Sequence, residues 1–321
     1  MLTMKAQISA LLFVFLMTSL VSLAQPSQSV VNGSYVPPPR DRSYEQILNR
    51  QRKVKEWPNL RESDILWKKR VWEEIDLDQK INYALFYPRD EKLGRKSLWH
   101  VIVQGLKDGD ITAYKANAGP IGAEDDEFTE RVNLQEISTV MSVPIDVGAI
   151  TDPYLTDPDE DLDRIADRDD ACPSIPGLYS PTPETNGCPP VIIGQDIERY
   201  RLKEDWIFDK QRSQRYVRII GIAPMAKMAN GKIVPLFWLY YDECRFLFSK
   251  KECFNMMNDA FKGTFEDLFE TRHFSGYVIK EENIYDRNIT DYSQGIDALL
   301  EGERIKKEIY EYEHDLWNYS F

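Results

Sequence analysis

Apolar side chains that recur every three or four residues predict three amphipathic helices. The first extends over residues 63–76, the second begins after Ser97 and ends at Gly109, and the third lies near the C-terminus. The recurring positions are Trp67, Val71 and Ile75 in the first, Leu98, Ile102 and Leu106 in the second, and Ile305, Ile309, Tyr312 and Leu316 in the third. We expect the apolar face of the third helix to pack on the protein's own core, because most amphipathic helices do so.

Short apolar runs bounded by turn residues predict strands. They lie at 81–87, 206–208, 216–223 and 233–241. The dipeptide Asn230-Gly231 precedes the last run, and both residues tolerate the positive φ that a tight hairpin turn requires. The pattern therefore predicts an α+β fold of mixed antiparallel strands and amphipathic helices.

The first residues have the pattern of a secretory leader. Lys5 precedes an apolar run over residues 8–23, and the small-residue sequence Ser22-Leu23-Ala24 follows, which predicts cleavage after residue 24. Residues 25–62 contain three consecutive prolines and scattered charges, which are typical of an extended arm or of a disordered leader segment. Export predicts a periplasmic protein.

Composition limits the classes of partner. The chain has a net charge of -13, and the predicted leader carries only the positive charge of Lys5, so the exported protein is more acidic still. An acidic chain gains nothing from counterion release on nucleic acid, and anionic membrane surfaces repel it. We expect no nucleic-acid partner. The hydrophobic fraction of 42% is ordinary for a globular protein.

An aspartate-rich segment interrupts the regular patterns at 151–190. Asp159, Asp161 and Asp163 alternate, and more aspartates follow at 167, 169 and 170, so their carboxylates could converge in a tight loop. Hard oxygen ligands in this number suit calcium, whereas the alternative is a solvated acidic loop without a metal.

This segment resembles a thrombospondin type 3 calcium repeat, including the Cys-Pro after the last aspartate and the closing Asn-Gly-Cys-Pro. The resemblance implies side-chain ligands at Asp159, Asp161, Asp163 and Asp170, a carbonyl ligand at Ile165, and a ligand at Asp167 for this or a neighbouring site. Arg164 stands where such repeats carry glycine, which lowers the expected affinity for the ion.

The same resemblance implies a disulfide between Cys172 and Cys188, which bracket a Pro-rich loop. Four cysteines allow three connectivities, and with this pair made the remaining bond would join Cys244 to Cys253. One continuous helix between these two would hold them about 13 Å apart, beyond the roughly 7 Å that a disulfide spans. The alternative is two free, buried thiols.

No catalytic motif emerges from the sequence. His100, His273 and His314 lie on separate elements without the spacing of a metal-binding pair, and no nucleophile elbow, phosphate loop or dinucleotide fingerprint is present. The seven tryptophans are spread over all the predicted elements, which favours core and interface packing over one sugar-binding platform. We expect a protein that is not an enzyme.

Three stretches outside the insert resemble the GldN/PorN family of gliding-motility and type IX secretion proteins. They begin with Val71-Trp72-Glu73-Glu74-Ile75, with Trp206-Ile207-Phe208-Asp209-Lys210, and with Phe274-Ser275-Gly276. On this resemblance the chain divides into a leader at 1–24, an arm at 25–62, a first domain part at 63–150, the insert at 151–190 and a second domain part at 191–321.

The resemblance implies a non-catalytic periplasmic subunit associated with the outer membrane through its partner. That partner would be a GldK/PorK-like lipoprotein, with which the chain would form a homo-oligomeric ring, linked to GldL/GldM-like inner-membrane motor proteins. The alternative is a periplasmic glycan-binding module, which the aromatic content and the calcium-type linker would also suit.

Overall fold

The computed structural model describes residues 30–31, 34–35, 52–88, 95–118, 123–124, 126–133, 136, 140–142, 160, 165–173, 179–181, 183, 186–189, 191–228, 231–255 and 263–318. The strands are β1 Val30–Val31, β2 Ser34–Tyr35, β3 Ile65–Asp76, β4 Ala113–Lys115, β5 Asn117–Ala118, β6 Ala123–Glu124, β7 Ile197–Asp209, β8 Gln214–Lys227, β9 Ile233–Pro235, β10 Phe237–Tyr240 and β11 Tyr277–Glu281. The α-helices are α1 Tyr83–Phe86, α2 Leu98–Asp108, α3 Tyr241–Phe248, α4 Phe265–Glu270 and α5 Ile296–Asn318.

The chain separates into two compact units, residues 1–47 and 48–321. In the first, β1 and β2 pair as a short antiparallel ladder. The second is built on a seven-stranded antiparallel sheet in the order β11-β3-β7-β8-β10-β4, with β9 paired to β8. This architecture confirms the predicted α+β class. None of the described helices is long and apolar enough to cross a membrane.

The predicted helix over 63–76 is wrong, because this segment forms the long strand β3. Trp67, Val71 and Ile75 are four residues apart, but they are also separated by even numbers of positions, so they share one face of a strand as well as of a helix. The β-branched and aromatic residues in this segment favour the strand. Pairing with β7 along the whole length of β3 then fixes it.

The predicted strand at 81–87 is also wrong. It begins in a 3-10 turn at Lys80–Asn82 and continues as the short helix α1. The buried Asn82 side chain determines this conformation, because its Nδ2 donates to Asp76 O at 2.6 Å and to Ser275 O at 2.8 Å, while its Oδ1 accepts from Ser275 N. These bonds fix the segment to the end of β3 and to the backbone before β11, and they hold Asn82 in the turn.

The other element predictions are confirmed. Ser97 caps α2 by accepting from His100 N, and Gly109 ends that helix with φ +75°. The predicted strands at 206–208 and 216–223 fall within β7 and β8. The predicted strand at 233–241 is divided into β9 and β10, and its last residue, Tyr241, begins α3. Gly231 has the predicted positive φ, whereas Asn230 lies outside the described residues. In the C-terminal helix, Ile305 and Ile309 are almost fully buried, as predicted for a core-facing stripe.

Alternating side chains give the sheet two different faces. One face carries most of the apolar core, in which Ile75, Leu202 and Ile222 pack with residues of α2, α3 and α4. A smaller cluster below α5 joins Val71 and Trp206 to Ile305 and Ile309. The opposite face carries a second apolar cluster around the two buried tryptophans Trp72 and Trp238. Its other members are Tyr114, Ala116 and Ala223.

Helix α5 contacts the edge strand β11 closely at Gly302. A Cβ atom at this position would lie 2.6 Å from the carbonyl oxygen of Val278, closer than side chains come to backbone. Lys306, one turn further, donates to Gly276 O. The helix thus covers the outer edge of the sheet, where unpaired strand groups would otherwise be exposed.

We expect Gly302→Ala to lower the free energy of unfolding by about 1–3 kcal/mol, because the methyl group forces α5 away from β11. This loss should exceed the roughly 1 kcal/mol that alanine gains in helix propensity. Urea denaturation of the mature chain measures the change. The exposed neighbour Glu303→Ala serves as control, and an unchanged midpoint for Gly302→Ala would contradict the close contact.

Candidate functional site

The described part of the insert is a loop closed by a disulfide. Cys172 and Cys188 are bonded, with their Cα atoms 5.1 Å apart, as the repeat resemblance implied. Asn186 holds the two ends together, since its Nδ2 donates to Asp169 O at 2.7 Å and its backbone O accepts from Ala171 N at 2.9 Å. The insert is therefore cross-linked by a covalent bond and by hydrogen bonds.

Three of the six predicted calcium ligands lie in this described region. Asp167 Oδ1 accepts from Glu160 N at 2.9 Å, Asp170 Oδ1 accepts from Cys172 N at 2.6 Å, and Ile165 lies at the start of the same loop. The other three, Asp159, Asp161 and Asp163, lie outside the described residues. Within the described residues, no group of three His, Cys, Asp or Glu side chains is placed to hold a metal. Calcium binding stays a prediction.

Gly187 is required by the packing of this loop. Its φ is +72°, and an added Cβ would lie 2.0 Å from Asp170 Oδ1. Only glycine adopts this conformation at low cost and leaves room for the carboxylate. The closing Asn-Gly-Cys sequence thus holds Asp170 in place next to the disulfide.

We expect the Cys172→Ser, Cys188→Ser double variant to be cleaved faster by proteases between residues 173 and 187. In the chain-entropy model, closing a loop of this size contributes about 3 kcal/mol, and the effect should remain local to the insert. Limited proteolysis with mass mapping measures the cleavage rate. Wild-type protein treated with a reductant should match the variant, and equal rates for oxidised wild type and variant would contradict the prediction.

The expected bond between Cys244 and Cys253 is wrong, because both cysteines are free and buried. Cys244 lies on α3 inside the apolar core. Cys253 follows that helix, and its Sγ donates to the carbonyl oxygen of Ala84 at 3.5 Å instead of bonding to the other sulfur. Burial raises the pKa of the Cys253 thiol to about 12, and it raises the pKa of Cys244 as well. Both thiols are thus unreactive at neutral pH.

All six buried acidic side chains in the described part of the chain form ion pairs. The pairs are Glu73 with Arg272 and Lys306, Glu74 with Arg199 and Arg201, Glu204 with Arg272, Asp205 with Arg70, Asp209 with Arg212, and Glu266 with Arg245. Such pairs link neighbouring strands and attach helices to the sheet. Their arrangement is that of structural ion pairs, whereas a general acid or base needs access to substrate.

Arg272 is the centre of a group of charges that includes the fully buried Glu204. It lies in the turn after α4, and its guanidinium donates to Glu73 Oε2 and to Glu204 Oε1, both at 2.7 Å. Lys306 of α5 donates to the other oxygen of Glu73 at 2.6 Å. Burial raises the pKa of Glu204, and Arg272 opposes that rise. Four charges therefore connect β3, β7, the turn after α4 and α5.

On the opposite face, Glu74 is held between two arginines and a tyrosine. Arg201 Nη2 and Arg199 Nη1 donate at 2.8 and 3.0 Å, and the hydroxyl of Tyr277 donates at 2.8 Å. Burial alone would raise the pKa of Glu74, but these partners lower it below its ordinary value. The network fixes the register of β11, β3 and β7 with charge-assisted hydrogen bonds.

The end of the predicted arm, residues 52–61, is part of the second unit. The guanidinium of Arg245 on α3 lies 4.2 Å from the centre of the Trp57 ring and pairs with Glu266 on α4. Trp57 Nε1 donates to Glu270 Oε1 at 3.0 Å. Sequence reasoning missed Arg245, because its partners are distant in the chain. Residues 52–57 thus pack on α3 and α4, and the carbonyl oxygens of Pro58 and Asn59 accept from Arg218 and Arg212.

Exposed apolar side chains concentrate between β11 and the start of α5. Of the fifteen large apolar residues exposed in the described chain, six lie here, and we call them the 284–300 surface. They are Ile284, Tyr285, Tyr292, Ile296, Leu299 and Leu300. By contrast, the six tryptophans whose side chains the structure describes are buried or half-buried, which places them in the packing of the protein and not on an open sugar platform.

The described chain is therefore an α+β protein whose buried charges hold its layers together and which exposes six large apolar residues in the single segment 284–300. Residues 60–318 match the family described as Gliding motility associated protein GldN, and the chain belongs to that family. It is thus a component of the gliding-motility and type IX secretion machinery, in a family known for structural and not enzymatic roles. The comparison with curated proteins finds no match.

Proposed function

We propose that the protein is a non-catalytic periplasmic subunit that assembles with a GldK/PorK-like outer-membrane lipoprotein into a ring. The observation that carries this proposal is the family match over residues 60–318, which includes the whole seven-stranded sheet and the helices packed on it. Links to GldL/GldM-like inner-membrane proteins belong to the same proposal. The chain would act as a rigid structural element between partners.

The buried charges support a structural role. Arg272, Lys306 and Arg245 each join elements that are distant in sequence, so the sheet and its helices form one cross-linked body. The His100 ring is engaged with the capping residue of α2, since its Nδ1 lies 2.7 Å from Ser97 Oγ.

Two features support a periplasmic location. The first 24 residues have the pattern of a cleavable leader, and the insert carries a disulfide, a bond that persists in oxidising compartments. A leader-peptidase cleavage site is checked by sequencing the N-terminus of the protein purified from its host. An N-terminus at Gln25 is expected, and an intact Met1 would contradict export.

An affinity pull-down tests the assembly. Tagged mature protein is purified from detergent-solubilised envelopes of its own host, and the co-purifying chains are identified by mass. We expect a lipoprotein in near-stoichiometric amount. Recovery of the protein alone with bound glycan would overturn the scaffold function in favour of a glycan-binding module.

We further propose that the insert binds calcium through Asp159, Asp161, Asp163, Ile165, Asp167 and Asp170. The carboxylate and carbonyl oxygens of this set suit calcium, and the described loop holds Asp170 next to its disulfide. Calorimetric titration should show heat for the wild type and none for Asp161→Asn with Asp163→Asn. The control is Asp169→Asn, outside the proposed set, which should bind as the wild type does. No heat with wild-type protein would remove the site.

A further inference from the structure

We propose that the 284–300 surface binds a segment of another protein in which apolar side chains are flanked by lysines or arginines. The inference rests on the scaffold function only in placing that protein within the secretion assembly. The exposed side chains, the charges around them and the buried residues beneath them all belong to this chain.

The 284–300 surface is held in a fixed shape by buried residues beneath it. Ile289 is 2% exposed and packs in the cluster with Ile305 and Val278, and Ala298 lines the same cluster. A 3-10 turn at Ile289–Asp291 is closed by the capping residue Asn288. The apolar side chains above it are therefore presented on a packed base, which lowers the entropy cost of binding.

The apolar side chains of the 284–300 surface are exposed to solvent and do not pack in the core. Ile284 is 99% exposed and Ile296 is 75% exposed. Ile296 and Leu300 are one helical turn apart on α5, and Leu299 lies beside Leu300, so they share the outward side of the first turns. Exposed apolar side chains that lie together on a protein surface mark an interaction site.

An arginine holds the two tyrosines of the loop before α5 together. The guanidinium of Arg287 lies 4.7 Å from the ring centre of Tyr285 and 5.6 Å from that of Tyr292. Tyrosine and arginine are the residue types enriched at binding hot spots, because they combine broad contact area with polar ends. The surface thus has aromatic anchors as well as aliphatic ones.

Charge decides between the candidate occupants. Among the exposed residues from 282 to 304, five are acidic and two are basic. The acidic ones are Glu282, Asp286, Asp291, Asp297 and Glu303. Arg287 stacks on tyrosines, Arg304 pairs with Glu301 at 2.6 Å, and Asp286 pairs with Lys280. The other four acidic residues have no ion pair among the described contacts, so the rim keeps a negative charge.

An acidic rim around apolar anchors attracts a partner with a basic rim and repels one with an acidic rim. A second copy of this chain, whose net charge is -13, would place like charges together at this rim. An anionic lipid surface would be repelled in the same way. The chemistry therefore favours a basic, apolar protein segment.

Synthetic peptides of about 18 residues, or five helical turns, provide the probe. One peptide places leucines on one helix face and lysines on the other, and its partner carries glutamates in place of the lysines. Binding to the full mature protein is measured by fluorescence anisotropy. We expect the lysine peptide to bind at least about tenfold more tightly than the glutamate peptide, with a difference that decreases as salt screens the rim.

Two variants locate the binding. Ile296→Ser with Leu300→Ser should weaken binding of the lysine peptide by about tenfold or more, whereas Phe246→Ser should leave it unchanged. Phe246 is the matched control, because it is 64% exposed but lies on α3. Circular dichroism and thermal melting establish that each variant is folded.

Equal binding of the two peptides, or unchanged binding by the double variant, would overturn the proposal. So would sedimentation showing that the wild type dimerises through this surface, or flotation of the wild type, but not the double variant, with anionic vesicles. The pull-down described above decides the scaffold function separately. A lipoprotein recovered by a protein that fails the peptide test would leave the scaffold function intact and remove this surface.

Discussion

Replacing Arg272 with methionine is expected to lower the free energy of unfolding by about 3–5 kcal/mol. The substitution keeps much of the side-chain volume but removes the guanidinium that donates to both Glu73 and Glu204. Glu204 is fully buried, so its charge would lose its only cationic partner among the described contacts. Urea denaturation at neutral pH, followed by tryptophan fluorescence, measures the change.

The control for this variant is Arg304→Met. Arg304 also pairs with a glutamate, but it lies on the exposed side of α5, where ion pairs contribute less than about 1 kcal/mol. Adding Glu204→Gln to Arg272→Met should recover part of the loss, because the double variant has one buried charge fewer. Equal effects of Arg272→Met and Arg304→Met would show that the buried group does not hold the layers together.

The cost of Arg272→Met should depend on pH. Burial raises the pKa of Glu204 and Arg272 lowers it, so the pKa rises further in the variant. An acid whose pKa is higher in the folded state binds more protons when folded, and the folded state therefore gains stability as pH falls. The difference between variant and wild type should be largest at neutral pH and shrink toward the ordinary pKa of 4.5. A difference that grows on acidification would contradict this assignment.

The sequence predicts helices and strands best where the apolar spacing fits the helical period but not the strand period of two, or the reverse. Ile305, Ile309 and Tyr312 are spaced four and three apart, which fits a helix face and no strand face, and the helix is found. In β3, the spacing of four fits both periods, and only the partner strand decides. Long-range pairing overrides local pattern in that case.

The candidate site was only partly predictable for a related reason. The Cys172 and Cys188 pair follows from a local repeat, and it is present. The ion pairs of Arg272 and Arg245 join residues far apart in the chain, so no local pattern indicates them. Once β3 is known to be a strand in the middle of a sheet, the adjacent acids Glu73 and Glu74 require cations from elsewhere, which is the signal that sequence reasoning missed.

Replacing Phe248 with alanine is expected to destabilise the protein by about 3–5 kcal/mol, the usual cost of removing a buried phenylalanine. Phe248 has no exposed surface, and its ring lies 6.0 Å from that of Phe269 and 6.3 Å from those of Tyr241 and Phe265. The cavity would separate α3 from α4. Thermal and urea unfolding of the mature chain measure the loss.

Phe246→Ala on the same helix is the matched control, because Phe246 is 64% exposed and its removal should change stability by less than about 0.5 kcal/mol. Comparing Phe248→Ala with Phe246→Ala also tests how the arm is held. Helix α3 also carries Arg245, which holds Trp57 and pairs with Glu266 of α4, so separation of α3 from α4 should release the arm. Faster proteolysis at residues 52–61 in Phe248→Ala, but not in Phe246→Ala, is the expected result. An arm that stays protected in a destabilised Phe248→Ala protein would show that Arg245 and Trp57 hold the arm independently of the aromatic core.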